Sequence, residues 1–205
     1  MTVAVRAARA DDIDAAAEVL ARAFSGEPLL RWIYRDQRTR PRRLRAMYVI
    51  MLHVHLGHGM SAVTEDDGRV SAVAMWDPPG AWQVPVRTQL RHLPSIMAMY
   101  GTELGALRRS LIAMGVLDGR HPAEPHYYLS YLGTDPGRQG GGRGGALLRA
   151  GLRRCDAEGA PAYLETSTPG NVGYYERFGF RIADEFLIPG GGPACWGMWR
   201  APALQ

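Results

Sequence analysis

A dense run of glycines joins a strand-like segment to a helix-like segment near residue 140. The stretch RQGGGRGGALLRA, residues 138–150, places five glycines in the six positions from Gly140 to Gly145. The preceding HYYLSYLGTD is typical of a strand, and a helical pattern extends from Arg143 to Ala157. Ordered elements on both sides argue against a linker, and a tight turn needs only one or two glycines. Consecutive amides at a helix start instead predict a phosphate-binding loop.

Two other phosphate-binding motifs compete for this loop. A Walker loop is excluded because the chain contains no lysine. A dinucleotide fingerprint fits Gly140, Gly142 and Gly145, and Glu165 follows twenty positions after the last of them. Against that interpretation, the letters DPGRQ separate the strand from the first glycine, and only two further strands follow the strand that carries Glu165. The context therefore favours a phosphate cradle of another kind.

Composition places the chain among ordinary globular proteins. It has 205 residues, is 46% hydrophobic and 21% charged, and carries a mild net charge of +4. That charge fits an anionic ligand without requiring nucleic acid. Cys155 and Cys195 form no metal spacing or disulfide framework, so we expect a reducing cytoplasm. We find no apolar run of signal-peptide or membrane-span length and expect no membrane partner.

The order of predicted elements indicates one α/β domain over residues 1–205. Strands are predicted at 2–8, 126–135, 160–167, 179–188 and 194–199, with a hairpin at 60–76 around an Asp-Gly turn. Helices are predicted at 12–24, 29–56 with an interruption at 36–41, 143–157 and 171–178. Asp11 or Asp12 is the expected cap of the first helix. Residues 87–117 read as a helical insertion that breaks near Pro94 or Gly101.

Two motifs resemble those of the GCN5-related N-acetyltransferases. The family's acetyl-coenzyme-A loop has Gln or Arg, two residues, Gly, one residue, then Gly or Ala, and Gln139, Gly142 and Gly144 occupy those positions. NVGYYERFGF, Asn171 to Phe180, is similar to the family's second motif. Three segments, AVAMW, LETSTPGNVGYYERFGF and CWGMWR, resemble puromycin N-acetyltransferase and its relatives in particular. The resemblance extends from about Val70 to the C-terminus and is weaker before it.

The resemblance implies a fold and a cofactor. The family fold is a mixed, mostly antiparallel sheet of about six to seven strands flanked by helices, with a central β-α-β unit that binds acetyl-coenzyme A. The loop residues implied to hold the pyrophosphate are Arg138, Gln139, Gly140, Gly141, Gly142, Arg143, Gly144 and Gly145. In this family the preceding strand splays at a bulge, for which Gly133 is our candidate. Leu132 and Thr134 then supply backbone amides to the pantetheine arm and the acetyl oxygen.

The resemblance also implies catalytic residues. Tyr175 stands directly before ERFGF, the position of the family's general acid, and a phenol stays protonated at neutral pH. Asn171 matches the residue that hydrogen-bonds the cofactor arm, although a helix N-cap would explain it as well. Many relatives carry a basic carboxylate on the strand before the loop, which HYYLSYLGT lacks. Glu165 is the nearest alternative, His126 is a second, and water alone is a third.

The acceptor side is less constrained by sequence. Acids and aromatics that could line an amine pocket are Glu27, Trp32, Asp36, Trp76, Trp82 and Tyr100. His53, His55 and His58 predict no metal site, because a helix places the first two on different faces. The expected function is acetyl-coenzyme-A-dependent N-acetylation of a small-molecule amine. Alternatives are a protein or peptide acceptor, or a non-catalytic acyl-coenzyme-A-binding module. A homodimer is a family-level expectation, and no nucleic-acid partner is expected.

Overall fold

The computed structural model describes residues 3–203, so Thr2, which opens the first predicted strand, lies outside it. The strands are β1 (Val5–Ala7), β2 (Ala62–Asp66), β3 (Arg69–Asp77), β4 (Tyr127–Thr134), β5 (Ala162–Thr166), β6 (Arg181–Leu187) and β7 (Ala194–Arg200). The helices are α1 (Ile13–Ala23), α2 (Pro28–Ile33), α3 (Arg40–His55), α4 (Val86–Tyr100), α5 (Leu104–Arg120), α6 (Arg143–Ala157) and α7 (Pro169–Glu176).

The seven strands form one mixed sheet in the order β1-β2-β3-β4-β5-β7-β6. Every neighbouring pair is antiparallel except β4 and β5, which are parallel and are connected through α6. A parallel pair needs such a crossover, whereas antiparallel neighbours can be joined by short turns. The predicted fold class, a mostly antiparallel sheet with a central β-α-β unit, is therefore confirmed.

Each face of the sheet carries its own hydrophobic core. On one face, which we call the α1 face, α1 and α3 cover Val73, Met75 and Tyr131 of the central strands. On the other, the α6 face, α6 packs against Trp76, Tyr127 and residues of β5. Side chains alternate along a strand, so each central strand contributes to both cores.

The local predictions mostly match the structure. The β2–β3 turn places Asp67 and Gly68 at φ values of 52° and 71°, as a tight Asp-Gly hairpin requires. The helical insertion predicted at 87–117 breaks at Gly101 and not at Pro94, which lies inside α4. Asp12 does not cap α1 with its side chain, contrary to expectation. Its carboxylate instead accepts bonds from the Arg9 amide and the Arg6 guanidinium.

Two arginines fasten α4 and α5 to the α1 face. Arg109 of α5 donates two hydrogen bonds to the Ile33 carbonyl at the end of α2, at 3.0 and 2.7 Å. Arg43 of α3 donates to the Tyr100 carbonyl at 3.1 Å and pairs with Glu103. Charged donors on carbonyls strengthen such contacts. The helical segment thus forms a wall of the α1 face.

Candidate active site

The two parallel strands separate after their first residues. β4 and β5 pair only at Tyr127–Ala162 and Tyr128–Tyr163, whereas β5 stays paired with β7 through Thr166. From Leu129 to Thr134, the edge of β4 that faces β5 lacks a strand partner among the described residues. An open strand edge presents backbone donors and acceptors to any extended group. The divergence creates a cleft between the two strands.

A bulge in β4 lies at Ser130, so its prediction at Gly133 is wrong. Trp76 pairs with Leu129 and Met75 with Tyr131, which leaves Ser130 as the extra residue. Gly133 pairs regularly with Val73. A Cβ at Gly133 would lie 2.9 Å from Leu20 and 3.1 Å from Ala23 and Phe24. Glycine is required there because α1 approaches the strand closely.

Three side chains hold Asp77 beside the bulge. Its carboxylate accepts hydrogen bonds from His55 Nδ1 at 2.7 Å, from His58 Nδ1 at 2.6 Å and from the Ser130 hydroxyl. Burial alone would raise the pKa of Asp77, yet these bonds hold it below the ordinary value. The network ties the bulge to the end of α3.

The histidines of the HVHLGH segment converge more than their sequence spacing suggested. His53 bonds its own helix at the Val49 carbonyl, but the ligating atoms of His55, His58 and Asp77 lie within 4.8 Å of one another. Ligands of a tetrahedral metal with bonds of about 2.0 Å lie roughly 3.3 Å apart. The shorter nitrogen–oxygen separations here are those of hydrogen bonds.

The glycine loop begins α6 with its backbone exposed. Gly140 and Gly142 have φ values of 81° and 78°, a region in which L side chains are strained. The Ala146 amide donates to the Gly142 carbonyl at 2.9 Å, so the amides of Arg143, Gly144 and Gly145 precede the first intrahelical bond. A Cβ at Gly144 would lie 3.3 Å from the Tyr174 hydroxyl. The motif glycines therefore serve backbone shape and close approach.

The polar side chains of the loop differ in their freedom. Arg143 forms a bidentate ion pair with Asp66, at 2.6 and 2.9 Å, and also donates to the Arg138 carbonyl. Arg138 is half exposed and lies 3.8 Å from Asp67. Gln139 reaches the Thr134 carbonyl at 3.5 Å. The Arg143 contacts brace the loop against β2, whereas Arg138 can turn toward a ligand.

A basic surface continues from the glycine loop along α6, and neither of the two sequence motifs includes its arginines. A cavity of about 410 Å³ beside Gly141 and Gly142 is also lined by Arg149 and Arg153. The same two arginines line a second cavity of about 540 Å³ that extends to Arg177. Their spacing on α6 places both on one helical face. That periodicity was the sequence signal that could have found them.

The two adjacent tyrosines of α7 have different surroundings. Tyr174 lies beside the glycine loop and contacts Phe178 at a centroid distance of 5.2 Å. Tyr175 is buried in the core of the α6 face, with its ring edge-on to Phe180 at 5.9 Å. Burial raises the pKa of Tyr175 above its ordinary value, so its phenol stays protonated at neutral pH.

Asn171 does not cap α7. The cap position is Thr168, and Asn171 lies inside the first turn, where its amide nitrogen contacts the Thr166 hydroxyl at 3.4 Å. Thr166 ends β5, three residues beyond the last pairing of that strand with β4 at Tyr163. The side chain of Asn171 is therefore placed at the border of the cleft. Its role toward a cofactor stays a prediction.

Glu27 lies on the α1 face at the start of α2, where it accepts the Leu30 amide at 2.7 Å. It also accepts a hydrogen bond from Ser167, the residue that follows β5. Burial raises the pKa of Glu27 above its ordinary value, and these hydrogen bonds offset only part of that effect. Glu27 has no ion-pair partner within residues 3–203.

Glu165 of β5 lies two residues before Ser167. One of its carboxylate oxygens, Oε2, accepts the Tyr128 hydroxyl at 2.5 Å. The other, Oε1, is buried without a hydrogen-bond donor and lies 3.6 Å from His121 Nδ1. His126 Nε2 lies 3.0 Å from His121 Nε2, so His121 stands between this second candidate base and Glu165.

Tyr131 lies near these acids. Burial raises its pKa to about 12, and the nearby carboxylates of Asp77, Glu27 and Glu165 add to that rise. Its ring meets Tyr48 edge-on at 5.2 Å, and the Tyr48 hydroxyl is buried without a partner. Unpaired buried polar atoms are rare in native proteins and indicate an unfilled polar site.

The remaining predicted acceptor residues fall in three places. Trp76 belongs to the core of the α6 face, under α6, where a Cβ at Gly151 would lie 2.4 Å from its indole. Trp32 reaches the Gly190 carbonyl at 3.4 Å on the α1 face. Tyr100 stacks on Tyr34 in the same core. Asp36 caps a turn through the Arg38 amide, and Trp82 stacks on His121 at 3.8 Å.

Known proteins share parts of this chain. A mycothiol acetyltransferase of Streptomyces avermitilis is 46% identical over 60 residues, which cover 28% of this chain and 20% of that enzyme. The chain thus matches about a fifth of the length of that curated relative. No helix among residues 3–203 combines the length and apolar character that crossing a membrane demands.

Solved structures extend the likeness over the whole chain. A structure from Corynebacterium glutamicum, described as histone acetyltransferase HPA2 and related acetyltransferase, has a TM-score of 0.76 and 26% identity, covering 100% of this chain and 99% of that one. A GNAT family acetyltransferase of Brucella melitensis, in complex with acetyl-CoA, has a TM-score of 0.53 and 21% identity, covering 100% and 90%. The model of the acetyltransferase (GNAT) family matches residues 28–180. The chain belongs to the GNAT family.

Proposed function

We propose that this protein transfers the acetyl group of acetyl-coenzyme A to a primary amine of a small molecule. One observation carries the proposal: β4 and β5 diverge after Tyr128 and Tyr163, and the open edge of β4 leads from this point to the glycine loop. A cofactor bound by the loop can extend its arm along this edge toward Glu165 of β5 and the Glu27–Ser167 hydrogen bond. The puromycin-like subtype stays a prediction from the motifs.

The loop and the open edge of β4 supply the cofactor site. Amides from Gln139 to Gly145 bind the pyrophosphate, aided by the positive end of α6. Leu132, Gly133 and Thr134 pair with β3 on one side, but the edge of β4 that faces β5 is open there and offers backbone groups to the pantetheine arm. Arg149 and Arg153 provide charge for the remaining phosphate. The close approach of Tyr174 to Gly144 fits a loop that needs bare backbone.

Glu27 is the proposed general base, in place of Glu165. A base needs a pKa near the working pH, and burial moves the pKa of Glu27 in that direction. Glu27 also lacks a cationic partner that would hold it ionised. The carboxylate takes a proton from the acceptor ammonium, and the freed amine attacks the thioester carbonyl.

Tyr175 is the proposed general acid. As the C–S bond breaks, its phenol donates a proton to the leaving thiolate. The cleft-facing amides of β4 stabilise the oxyanion that forms between these steps, an effect worth several kcal/mol in comparable sites. Asn171 orients the arm of the cofactor from the border of the cleft. The nitrogen loses its second proton to solvent as the amide forms, and the phenol regains its proton from solvent.

The test follows free thiol after mixing the protein with acetyl-coenzyme A and a panel of amines, puromycin included. We expect thiol release that requires an amine and falls about a hundredfold or more in Glu27→Gln. Cofactor binding without amine-dependent thiol release would favour a non-catalytic binding module. Release with peptide amines alone would favour a peptide acceptor.

The setting of the protein is part of the proposal. Both cysteines are free and buried, which suits a reducing cytoplasm. A homodimer stays a family-level expectation that sedimentation can test.

A further inference from the structure

The strongest unexplained feature of the α1 face is the bare Oε1 oxygen of Glu165. The atom is buried without a hydrogen bond, its partner oxygen is bonded to Tyr128, and the Tyr163 hydroxyl lies near the carboxylate. Burying part of a carboxylate without hydrogen bonds costs free energy, so such atoms usually mark the place of a water, an ion or a ligand.

The neighbouring histidines explain why Oε1 stays bare. His126 Nδ1 lies 2.6 Å from the Glu124 carbonyl, which can only accept, so this nitrogen carries the proton. Burial lowers the pKa of His126 and keeps it neutral, so its Nε2 accepts the proton of His121 Nε2. His121 Nδ1 faces Oε1 across 3.6 Å, which is beyond hydrogen-bond distance. The two histidines therefore bond to each other and leave Oε1 without a hydrogen bond.

Positive charge is scarce around this acid. Within residues 3–203 no arginine forms an ion pair with Glu165, whose one ion-pair contact is His121 at 3.6 Å. Glu27 also lacks a cation, and both acids act on the pKa of Tyr131. Two buried carboxylates on one face create a strong preference for cations.

The spacing of the two acids restricts the ligand. Glu27 is bonded to Ser167, two residues beyond Glu165, and two extended residues advance the chain by about 7 Å. A short aliphatic chain between two cationic groups fits acids that lie this near each other. Tyr128 and the stacked pair of Trp82 and His121 add aromatic surface near Glu165, which suits a cation.

We propose that Glu165 binds a second cationic group of the acceptor, so that the substrate is a diamine or a guanidino-amine and not a simple monoamine. The proposal rests on the proposed function for the reacting nitrogen, which Glu27 receives. Glu165 thereby changes from a candidate base to a specificity residue.

The direct test is binding calorimetry on the full chain saturated with coenzyme A. Putrescine is compared with butylamine, and cadaverine with pentylamine, so that each pair differs by one terminal amine. We expect each diamine to bind about tenfold tighter or more, a typical effect of one well-placed charge pair. Glu165→Gln should bring each pair within about threefold. Glu185→Gln, on exposed β6, is the control with the same charge change.

The outcomes separate this proposal from the proposed function. Equal affinities within each pair in the unmodified protein would overturn the role of Glu165, whatever the turnover. A retained preference in Glu165→Gln would overturn it as well. A clear diamine preference without any thiol release from acetyl-coenzyme A would support the binding role and contradict the acetyl-transfer reaction.

Discussion

The Ser167 hydroxyl donates a hydrogen bond to Glu27, although the two residues are 140 positions apart in the chain. The bond joins the start of α2 to the residue that follows β5, at the end of the strand where β5 no longer pairs with β4. It also lowers the pKa of Glu27, against the larger upward effect of burial. Ser167 thus tunes the group that the account assigns as base.

Removing this hydroxyl should move the pH profile. In Ser167→Ala the pKa of Glu27 rises further, because one bond to its ionised form is lost. The acidic limb of kcat/KM, measured across pH with a saturating cofactor, is expected to shift to higher pH. Ser167→Thr keeps a hydroxyl and should restore the original limb. If the acidic limb of kcat/KM does not move in Ser167→Ala, Glu27 is not the group that controls this limb.

Tyr175→Phe should lower thiol release sharply and leave acetyl-coenzyme-A affinity nearly intact. No hydrogen bond is made by the Tyr175 hydroxyl to any described residue, so its loss should not disturb the core. The measurement is single-turnover thiol release together with cofactor titration. Tyr174→Phe is the matched control, since that ring lies beside the loop. Unchanged turnover in Tyr175→Phe would exclude it as the acid.

Gly142→Ala should weaken cofactor binding. Gly142 has a φ of 78°, and forcing alanine into that region costs roughly 1–2 kcal/mol. The loop is expected to relax away from the shape that presents its amides, and the Kd for coenzyme A should rise severalfold in calorimetry. Gly119→Ala is the control, because its helical position in α5 has open space for a Cβ. Equal Kd values in both variants would contradict the role of the loop.

The Arg200–Asp156 ion pair should make stability fall in acid. Arg200 donates two hydrogen bonds to Asp156, at 2.7 and 3.0 Å, and lowers the pKa of that carboxyl. A depressed folded-state pKa gives stability above the unfolded value of about 3.9, which is lost as the pH falls through the folded value. Asp156→Asn should lower the Tm at neutral pH, and the difference should shrink below about pH 4. A difference independent of pH would show that the charge is irrelevant.

The sequence predicted the local elements well because their signals are local. The helix Arg143–Ala157 and the Asp67–Gly68 turn occur where glycine and periodicity placed them. The bulge was misplaced because register depends on the partner strand: Gly133 serves helix packing, while Ser130 is the extra residue.

The acids of the candidate site could not be assembled from sequence for a related reason. Glu27 and Glu165 come to the same face of the sheet only after the sheet has formed, and the sequence alone indicates a surface acid for one and a strand-end acid for the other. His55, His58 and Asp77 likewise meet across a helix end and a neighbouring strand. Long-range pairing, rather than composition, decides which of these groups face one another.

The most direct test of the account is amine-dependent release of free thiol from acetyl-coenzyme A by the unmodified protein and by Glu27→Gln at neutral pH. We expect release with a small primary amine and a decrease of about a hundredfold or more in the variant at similar cofactor affinity. Equal release by both proteins would contradict Glu27 as base. Bound cofactor with no release in any amine would contradict acetyl transfer itself.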